Sequence, residues 1–407
     1  MGCSMLARGV IYLSWPLLRH VAKMYRISAA RRPCIVAVVG SLGKTTAARA
    51  VSTALGLAVH PKIACNAFSY IAFALFRVCP WKSHAVIEVG IARKGQMRVY
   101  AETIRPDVTV VTSVGSEHNR SFGDLSVTRR EKAEMVRALS PSGLAVLNGD
   151  DPNVLWMKEA TRANVVTFGF SAANDVRASD MVLDWPIGTR FLLHANGTTR
   201  EVRTRLIGRA FVYPVLAAVA VGLAEGFSLD TMLMALEPLP PSPERLEPVR
   251  LETGAILLRD EWKSSLETID AALDVVAEIP ARRKIIVLGD VSEPPGSQGP
   301  ICRRLGGRVA DIATQAIFIG GNDNRYQVGA VRGGMSRNAI TRAGRSLKRA
   351  LSALPSDLGE GDIVLIKGRD NQRLGRIAMA LMGREVRCDV LPCYARDTIR
   401  CSQCRML

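Results

Sequence analysis

Apolar residues recur along the chain in short, β-branched runs, each followed by a turn and then by a stretch with helical spacing. Runs of this kind are typical of parallel strands that are buried on both faces. The alternation of strand and helix predicts an α/β protein whose helices cover parallel sheets. The clearest runs cover residues 34–39, 84–88, 107–111, 144–148, 284–288, 316–319 and 362–367.

The composition is that of a globular protein and favours anionic partners. Of the 407 residues, 48% are hydrophobic and 22% are charged, which excludes a disordered, collagen-like or coiled-coil chain. A length near 400 residues predicts two or three domains. The net charge of +17 favours nucleotides, acidic substrates or an acidic membrane face. Nucleic acid is not expected, because no basic motif is interleaved with aromatic residues.

The first 32 residues form a separate basic segment. It holds six Lys or Arg and no acidic residue, and its longest uncharged stretch, 9–18, has ten residues. A spanning helix needs roughly 20 apolar residues, so this segment is too short to cross a bilayer. Two interpretations stay open: a helix packed on the first domain, or peripheral attachment to the anionic inner face of the membrane. With no export signal in view, we expect a cytoplasmic protein with reduced thiols.

A glycine-rich turn joins the run 34–39 to a helical pattern and predicts a phosphate-binding loop. Backbone N–H groups at a helix N-terminus bind phosphate oxygens, and glycines let the backbone approach them. Lys44 is expected to neutralise the β- and γ-phosphates of ATP, and the Thr45 hydroxyl to bind Mg²⁺. The predicted nucleotide-binding residues of this loop are Gly40, Ser41, Gly43, Lys44, Thr45 and Thr46.

A further candidate ligand for Mg²⁺ is Glu88, the last residue of the run 84–88. Ligands of α/β sheets bind beyond the carboxyl ends of the strands, so Glu88 is expected at the nucleotide crevice. Gly90 is expected to leave the space beside it open. The alternative is a solvated acid at the end of a strand.

The order of six motifs resembles the Mur ligase family, the ATP-dependent enzymes that build the peptidoglycan stem peptide one amide bond at a time. The phosphate loop has the family's shortened form, with Val38 where the general pattern has glycine. The resemblance covers residues 33–385 and is strongest to the ligase that adds D-Ala-D-Ala. The other five motifs are residues 106–123, 129–134, 143–152, 284–293 and 361–369.

The resemblance implies further site residues. Asn66 stands where related ligases carry an asparagine near the γ-phosphate; a simple turn asparagine is the alternative. His118 matches a residue near the second metal ion. Lys132 matches a lysine that most Mur ligases carry as a carbamate, an anionic oxygen ligand for Mg²⁺; a solvated helix face is the alternative. The predicted metal ligands are therefore Thr45, Glu88, His118 and Lys132.

Four prolines within residues 237–243 indicate a stiff spacer and a domain boundary. Beyond it, the resemblance assigns Arg245 to the phosphates and Asp260 to the ribose or the closing hinge. The predicted catalytic residues are Lys44, His118, Lys132 and Arg245. We predict a parallel-sheet ATPase domain followed by a smaller Rossmann-like α/β domain. The predicted segments are 1–32 (basic), 33–240 (ATP-binding), 241–387 (Rossmann-like) and 388–407 (cysteine-rich).

Two segments depart from the family pattern. Ala210, Phe211 and Pro214 replace a histidine and asparagines, which implies different second-substrate or interdomain contacts. After Asp260 the family's asparagines are missing, which puts adenine recognition in doubt. Trp262 is a candidate to stack on the base, with a core position as the alternative. The family's N-terminal uridine-nucleotide domain is also expected to be absent.

The last four of the nine cysteines crowd into the C-terminal tail. Four thiolates with one Cys-x2-Cys pair suggest a small structural Zn²⁺ site. Free thiols are the alternative, because the first pair is spaced atypically. The cysteines are Cys388, Cys393, Cys401 and Cys404.

The sequence therefore predicts an ATP- and Mg²⁺-dependent ligase that joins a carboxylate acceptor to an amino acid or amine through an acyl phosphate. The expected lack of the uridine-nucleotide domain predicts a non-standard acceptor, and the basic composition predicts an anionic one. One alternative is a folylpolyglutamate or polyglutamate ligase. The other is a nucleotide-binding subunit of an assembly that has lost its chemistry.

Overall fold

The structure is a computed structural model that describes residues 14–61, 63–116, 123–393, 401 and 404. The chain divides into two compact units, Met1–Pro240 and Pro241–Leu407. The division falls inside the proline-rich stretch 237–243. No helix in the described part of the chain combines the length and the apolar character that a bilayer span requires.

The first unit alternates strands and helices up to residue 169 and then adds a β-hairpin excursion. Its strands are β1 Cys34–Val39, β2 His84–Glu88, β3 Val108–Val111, β4 Leu144–Asn148, β5 Asn164–Gly169, β6 Val176–Asp184, β7 Gly188–Ala195 and β8 Thr198–Thr204. Its helices are α1 Trp15–Ile27, α2 Lys44–Ala54, α3 Ser69–Phe76, α4 Gln96–Ile104, α5 Leu125–Arg137, α6 Pro152–Leu155, α7 Arg209–Ala224 and α8 Leu229–Leu236. A 3₁₀-helix covers Trp156–Ala160.

These strands form one sheet in the order β2-β1-β3-β4-β5-β6-β7-β8. The pairs from β2 to β6 are parallel, and β6, β7 and β8 pair antiparallel. Because β1 lies between β2 and β3, the carboxyl ends of three strands meet around the turn after β1. That edge is where α/β sheets bind ligands.

Helices cover both faces of the sheet, as the β-branched runs predict. One core packs α2 and α7 against strand residues such as Val36, Val38 and Val110. The other packs α1, α3, α4 and α5 against Ile35, Ala37 and neighbours. Successive residues of β1 point alternately into the two cores. Both faces of the strand are therefore buried, and β1 is apolar without interruption.

Helix α1 is fastened to the first unit along one face. Arg26 is buried, and its guanidinium donates to the carboxylate of Asp107 at 2.7 Å and to the carbonyl of Arg105 at 3.1 Å. The ring of Trp15 meets that of Tyr100 edge-on, with centroids 5.3 Å apart. For the described part of the segment 1–32, the interpretation as a helix packed on the first domain therefore holds along this face.

The second unit is a smaller α/β sheet in the order β13-β12-β11-β14-β10-β9, with β9 antiparallel to β10 and the other pairs parallel. Its strands are β9 Glu247–Arg250, β10 Ile256–Asp260, β11 Arg283–Leu288, β12 Gln315–Ile319, β13 Ile340–Gly344 and β14 Asp362–Lys367. Its helices are α9 Leu266–Glu278, α10 Gln298–Ile312, α11 Asp323–Arg332, α12 Leu347–Ser352 and α13 Gly375–Leu381, with 3₁₀-helices at Arg337–Ala339 and Asp370–Gln372.

Candidate nucleotide site

The turn after β1 has the backbone geometry of a phosphate-binding loop. Gly40 has φ +148°, and Gly43, at the N-terminus of α2, has φ +79°. A Cβ atom on Gly40 would stand 1.9 Å from Oγ1 of Thr112, so a larger residue does not fit. Lys44 begins α2, and its Nζ donates to the carbonyl of Ser41 at 2.9 Å. The lysine thus lies back over the loop, beside a helix N-terminus that attracts anions.

Residues after β3 hold the loop in place; they lie within the motif 106–123, but its pattern predicts no such role for them. The backbone N–H of Leu42 donates to Oγ of Ser113 at 2.9 Å, and Oγ1 of Thr112 donates to the carbonyl of Leu42 at 2.5 Å. The side-chain amide of Asn148, at the end of β4, donates to the carbonyl of Thr112 at 2.9 Å. Hydroxyl residues directly after a buried strand are the signal that could have revealed this support.

Glu88 lies next to the loop with one carboxylate oxygen available. It pairs with Val38 in the parallel register of β1 and β2, and it is 3% exposed. Its Oε1 accepts a hydrogen bond from Nδ2 of Asn66 at 2.6 Å. Its Oε2 is buried and has no hydrogen-bond partner among the described residues. The alternative of a solvated acid is therefore wrong.

The space over Gly90 is not open, contrary to the expectation from the sequence. A Cβ there would stand 2.6 Å from Oδ1 of Asn66, and the N–H of Gly90 donates to the carbonyl of Asn66 at 2.7 Å. The absence of a side chain at Gly90 is what lets Asn66 approach Glu88. Asn66 therefore does more than shape a turn, since it orients the carboxylate of Glu88.

Lys132 reaches the phosphate loop from α5. Its side chain is buried, at 4% exposure, and Nζ donates to the carbonyl of Gly40 at 2.9 Å. The alternative of a charge on a solvated helix face is wrong. The carbamate at Lys132 stays a prediction.

The remaining loop residues have different exposures. Ser41 and Thr46 are buried, at 3% and 1%, and Oγ of Ser41 donates to the carbonyl of Gly115 at 3.3 Å. Thr45 is half-buried on the first turn of α2. His118, the predicted neighbour of a second metal ion, lies outside the described residues.

The donors at this edge suit Mg²⁺. The ion prefers hard oxygen ligands, and usually takes one or two carboxylates together with phosphate oxygens of the substrate. The buried Oε2 of Glu88 is such a donor, and a buried carboxylate oxygen without a partner is costly unless something binds it. The arrangement of the phosphate loop, Lys44 and Glu88 therefore fits a nucleoside triphosphate with its magnesium ion.

The other two predicted nucleotide contacts lie in the second unit. The carboxylate of Asp260, at the end of β10, forms a buried ion pair with Nζ of Lys367 at 2.7 Å. Burial raises the pKa of Asp260, and the ammonium of Lys367 opposes that rise. The guanidinium of Arg245 lies 5.6 Å from the ring centroid of Trp262. The assignments of Arg245 to phosphate and of Asp260 to ribose or hinge stay predictions.

The segment that departs from the family pattern makes contacts of its own. Arg209 stacks on the ring of Phe170, 3.5 Å from its centroid, and the hydroxyl of Tyr213 donates to Asp150 at 3.0 Å. Burial and the carboxylate of Asp150 raise the pKa of Tyr213 to about 12. Burial opposes the shift at Asp150, but hydrogen bonds, first of all from the N–H groups of Phe170 and Ser171, lower its pKa.

The zinc prediction for the tail cysteines is not supported. The thiol of Cys388 accepts a hydrogen bond from Nη1 of Arg376 at 2.9 Å. Among the described residues, the tail cysteines form no group of three with their sulfur atoms in mutual metal-binding range. Part of the tail, residues 394–400, 402–403 and 405–407, lies outside the described residues.

Comparison with known proteins finds a matching family model and several similar ligases. Residues 38–222 match the Mur ligase middle domain. The UDP-N-acetylmuramoyl-tripeptide–D-alanyl-D-alanine ligase of Mycobacterium bovis is 29% identical over 380 residues, which cover 88% of this chain and 74% of that protein. The enzyme of the same name from Escherichia coli is 29% identical over 283 residues, 69% of this chain and 62% of that protein.

Solved structures show the same fold. MurF from Acinetobacter baumannii matches with a TM-score of 0.80 at 23% identity, over 90% of this chain and 80% of that one. MurF ligase from Thermotoga maritima, crystallised with ADP, matches with a TM-score of 0.76 at 19% identity, over 91% and 84%. The predicted resemblance, the α/β fold class and the class of ATP-dependent peptide ligases are confirmed by these relatives.

Proposed function

We propose that this chain is a Mur-type ligase, which forms an amide bond between the carboxylate of an anionic precursor and an amine, using ATP and Mg²⁺. The observation that carries the proposal is the phosphate loop with a buried carboxylate oxygen beside it. Lys44 and the glycine turn supply the anion site, and Oε2 of Glu88 is free to bind a cation.

A carboxylate is a poor electrophile, so it must first be activated. Its oxygen attacks the γ-phosphorus of ATP, the bond to the bridging oxygen breaks, and ADP leaves with that electron pair. The product is an acyl phosphate. The amine then attacks the acyl carbon, loses a proton to solvent or a base, and expels inorganic phosphate. One ATP is thus consumed for each amide bond.

The residues of the first unit have distinct parts in this chemistry. Lys44 and the N–H groups of the loop stabilise the charge that spreads over the phosphate oxygens during transfer. Glu88 and Thr45 and, by the resemblance, His118 and a carbamylated Lys132 would hold Mg²⁺, which when bound would supply charge neutralisation at the phosphates. Asn66 keeps the carboxylate of Glu88 in place through its hydrogen bond to Oε1.

Three observations bear on the acceptor and the amine. The net charge of +17 favours an anionic substrate. The relatives' names give a uridine-nucleotide-linked tripeptide and D-Ala-D-Ala as the joined pair. In this chain Ala210, Phe211 and Pro214 replace the family's histidine and asparagines on helix α7. The polar contacts near them are made by Arg209 and Tyr213. We therefore expect the amine or the acceptor to differ from the relatives' pair in part of its structure.

The direct test is release of ADP by the full-length protein with Mg²⁺ and ATP. Acids and amines are supplied singly and in pairs: the relatives' pair, related peptides and dipeptides, and glutamate with a folate-type acceptor. One pair should raise ADP release on the order of 100-fold over either component alone. Lys44→Ala should remain at background, while Lys158→Ala, an exposed lysine of the same unit, should behave as wild type.

The same assay separates the rival functions. Turnover that depends on glutamate with a folate or polyglutamate acceptor would identify a ligase of that type. ATP binding without turnover in any combination would contradict the ligase proposal and favour a nucleotide-binding subunit.

We also propose peripheral contact of helix α1 with an anionic membrane surface. The face of α1 opposite Arg26 exposes Leu17, Val21 and Met24, at 71%, 50% and 60%. These residues follow the i, i+4, i+7 spacing of one helical stripe. Lys23 is exposed nearby, and residues 1–32 contain no acid. An apolar stripe with basic neighbours is the pattern of helices that lie in the headgroup region.

Co-sedimentation with vesicles tests this contact. We expect the protein to pellet with vesicles rich in phosphatidylglycerol and not with phosphatidylcholine alone. The double variant Leu17→Gln/Met24→Gln should bind about tenfold more weakly. The control is Met234→Gln, which replaces a methionine that is 76% exposed elsewhere in the same unit. Equal pelleting of all three proteins would contradict the proposal.

A further inference from the structure

Three potential metal ligands from distant parts of the chain meet at the edge of the first sheet opposite the phosphate loop. Cys34 and His84 begin β1 and β2 and are direct partners in the parallel register. Glu225 follows the last residue of α7. The sulfur of Cys34, a ring nitrogen of His84 and a carboxylate oxygen of Glu225 all lie within 4.8 Å of one another.

This group stands out in the described part of the chain. It is the one set of three His, Cys, Asp or Glu residues there whose ligand atoms lie that close together. Each of the three residues is partly buried, so the group is shielded but reachable from solvent. The phosphate loop follows the other end of β1, so the cluster and the nucleotide site lie at opposite ends of the same strand.

The contacts of His84 favour a metal ligand. Its Nε2 is 2.9 Å from Oε2 of Glu225, and its Nδ1 is 2.9 Å from Oγ of Ser83. Histidines that bind metals commonly use one ring nitrogen for the ion and donate the other N–H to a neighbouring oxygen, which fixes the ring. Ser83 is placed to accept that hydrogen bond while Nε2 faces the other two ligands.

We propose that Cys34, His84 and Glu225 bind one Zn²⁺ ion. Thiolate, imidazole and carboxylate are the three side-chain ligand types that zinc takes, and a water molecule would complete a tetrahedron. On binding, the thiol proton of Cys34 passes to solvent. The imidazole would bind the ion through the lone pair of Nε2 and donate its Nδ1–H to Oγ of Ser83. The site is independent of the proposed ligase activity.

Such an ion would join the beginnings of two adjacent strands, β1 and β2, to the end of the long helix α7. The metal-free alternative is a hydrogen-bonded group in which Glu225 accepts from both Cys34 and His84. In that state burial, followed by the charge of Glu225, raises the pKa of the Cys34 thiol to about 12. A doubly charged metal ion would lower the pKa of this thiol instead, because it stabilises the thiolate.

Zinc binding by the full-length protein, freed of metal with a chelator, distinguishes the two states. Zn²⁺ is titrated in competition with a chromophoric chelator, and Co²⁺ serves as a second probe, since a cobalt–thiolate bond gives a charge-transfer absorption. We expect one zinc equivalent in the wild type. Cys34→Ser and Glu225→Gln should each weaken it on the order of 100-fold, and Cys34→Ser should remove the thiolate absorption of the cobalt form.

Two controls exclude other thiols. Cys79→Ser changes a partly buried cysteine of the same unit, and Cys401→Ser/Cys404→Ser changes the tail. Both should bind zinc as the wild type does. Zinc should also raise the melting temperature of the wild type and of both controls. It should not raise that of Glu225→Gln, which is nearly isosteric with the wild type and is therefore expected to fold. Absence of zinc binding, wild-type affinity in Cys34→Ser and Glu225→Gln, or loss only in the tail variant would overturn the proposal.

Discussion

At the scale of single residues, the site depends on Glu88 having two differently used oxygens. One accepts a hydrogen bond from Asn66, and the other is buried and has no hydrogen-bond partner in the part of the chain that the structure describes. The sequence predicted Glu88 from its place at the end of a strand. It did not predict the role of Gly90, because the close approach of Asn66 is a tertiary contact between a loop and the chain beyond β2.

The variant Glu88→Gln keeps this shape and removes the charge. Since an amide oxygen is a weaker ligand for Mg²⁺ than a carboxylate, we expect the Mg²⁺ concentration for half-maximal ADP release to rise at least about tenfold. The measurement is a Mg²⁺ titration at saturating ATP. The control is Glu102→Gln, an exposed acid on α4, which should leave the titration unchanged. An unchanged Mg²⁺ requirement in Glu88→Gln would show that Glu88 is not a ligand.

At the scale of elements, strand ends determine where polar side chains lie. The β-branched runs and glycine turns were sufficient to predict the parallel strands β1–β4, β11, β12 and β14, since buried parallel strands have few alternatives. Long-range partners were not predictable in this way. Asp260 was expected at the nucleotide, yet β10 and β14 are neighbours in the second sheet and place Lys367 beside it. Helix α1 likewise joins the first unit through Arg26, which no local pattern marks.

The buried pair between β10 and β14 gives a prediction about stability. Lys367→Met should leave Asp260 buried without its counter-charge and lower the free energy of unfolding by about 3–5 kcal/mol. The measurement is denaturant unfolding monitored by circular dichroism. The double variant Asp260→Leu/Lys367→Met should recover most of that loss, because no uncompensated charge remains.

The matched control for this pair is exposed. Arg387 and Glu385 form an ion pair whose side chains are 75% and 71% exposed. Because exposed pairs contribute little, Arg387→Ala should leave the unfolding transition unchanged. If Lys367→Met were as stable as Arg387→Ala, the buried pair would not support the second sheet.

At the scale of the whole molecule, the first unit brings the predicted nucleotide residues together and the second unit holds the rest. Gly40 and Lys44 of the loop, Glu88 and Lys132 come from three separate parts of the sequence and meet at one edge of one sheet. The motifs were sufficient to place them there, because strand order and the phosphate loop fix that edge. His118 lies outside the described residues, and Arg245 belongs to the other unit, so their parts in the site remain predictions.

Calorimetric binding of a non-hydrolysable ATP analogue, with and without Mg²⁺, tests the phosphate loop most directly. The wild type and Lys158→Ala should bind the analogue in a Mg²⁺-dependent manner, and Lys44→Ala should lose at least about tenfold in affinity because the loop no longer neutralises the phosphates. Binding of equal strength by Lys44→Ala and wild type, or no binding by the wild type, would contradict the proposed nucleotide site and the ligase chemistry built on it.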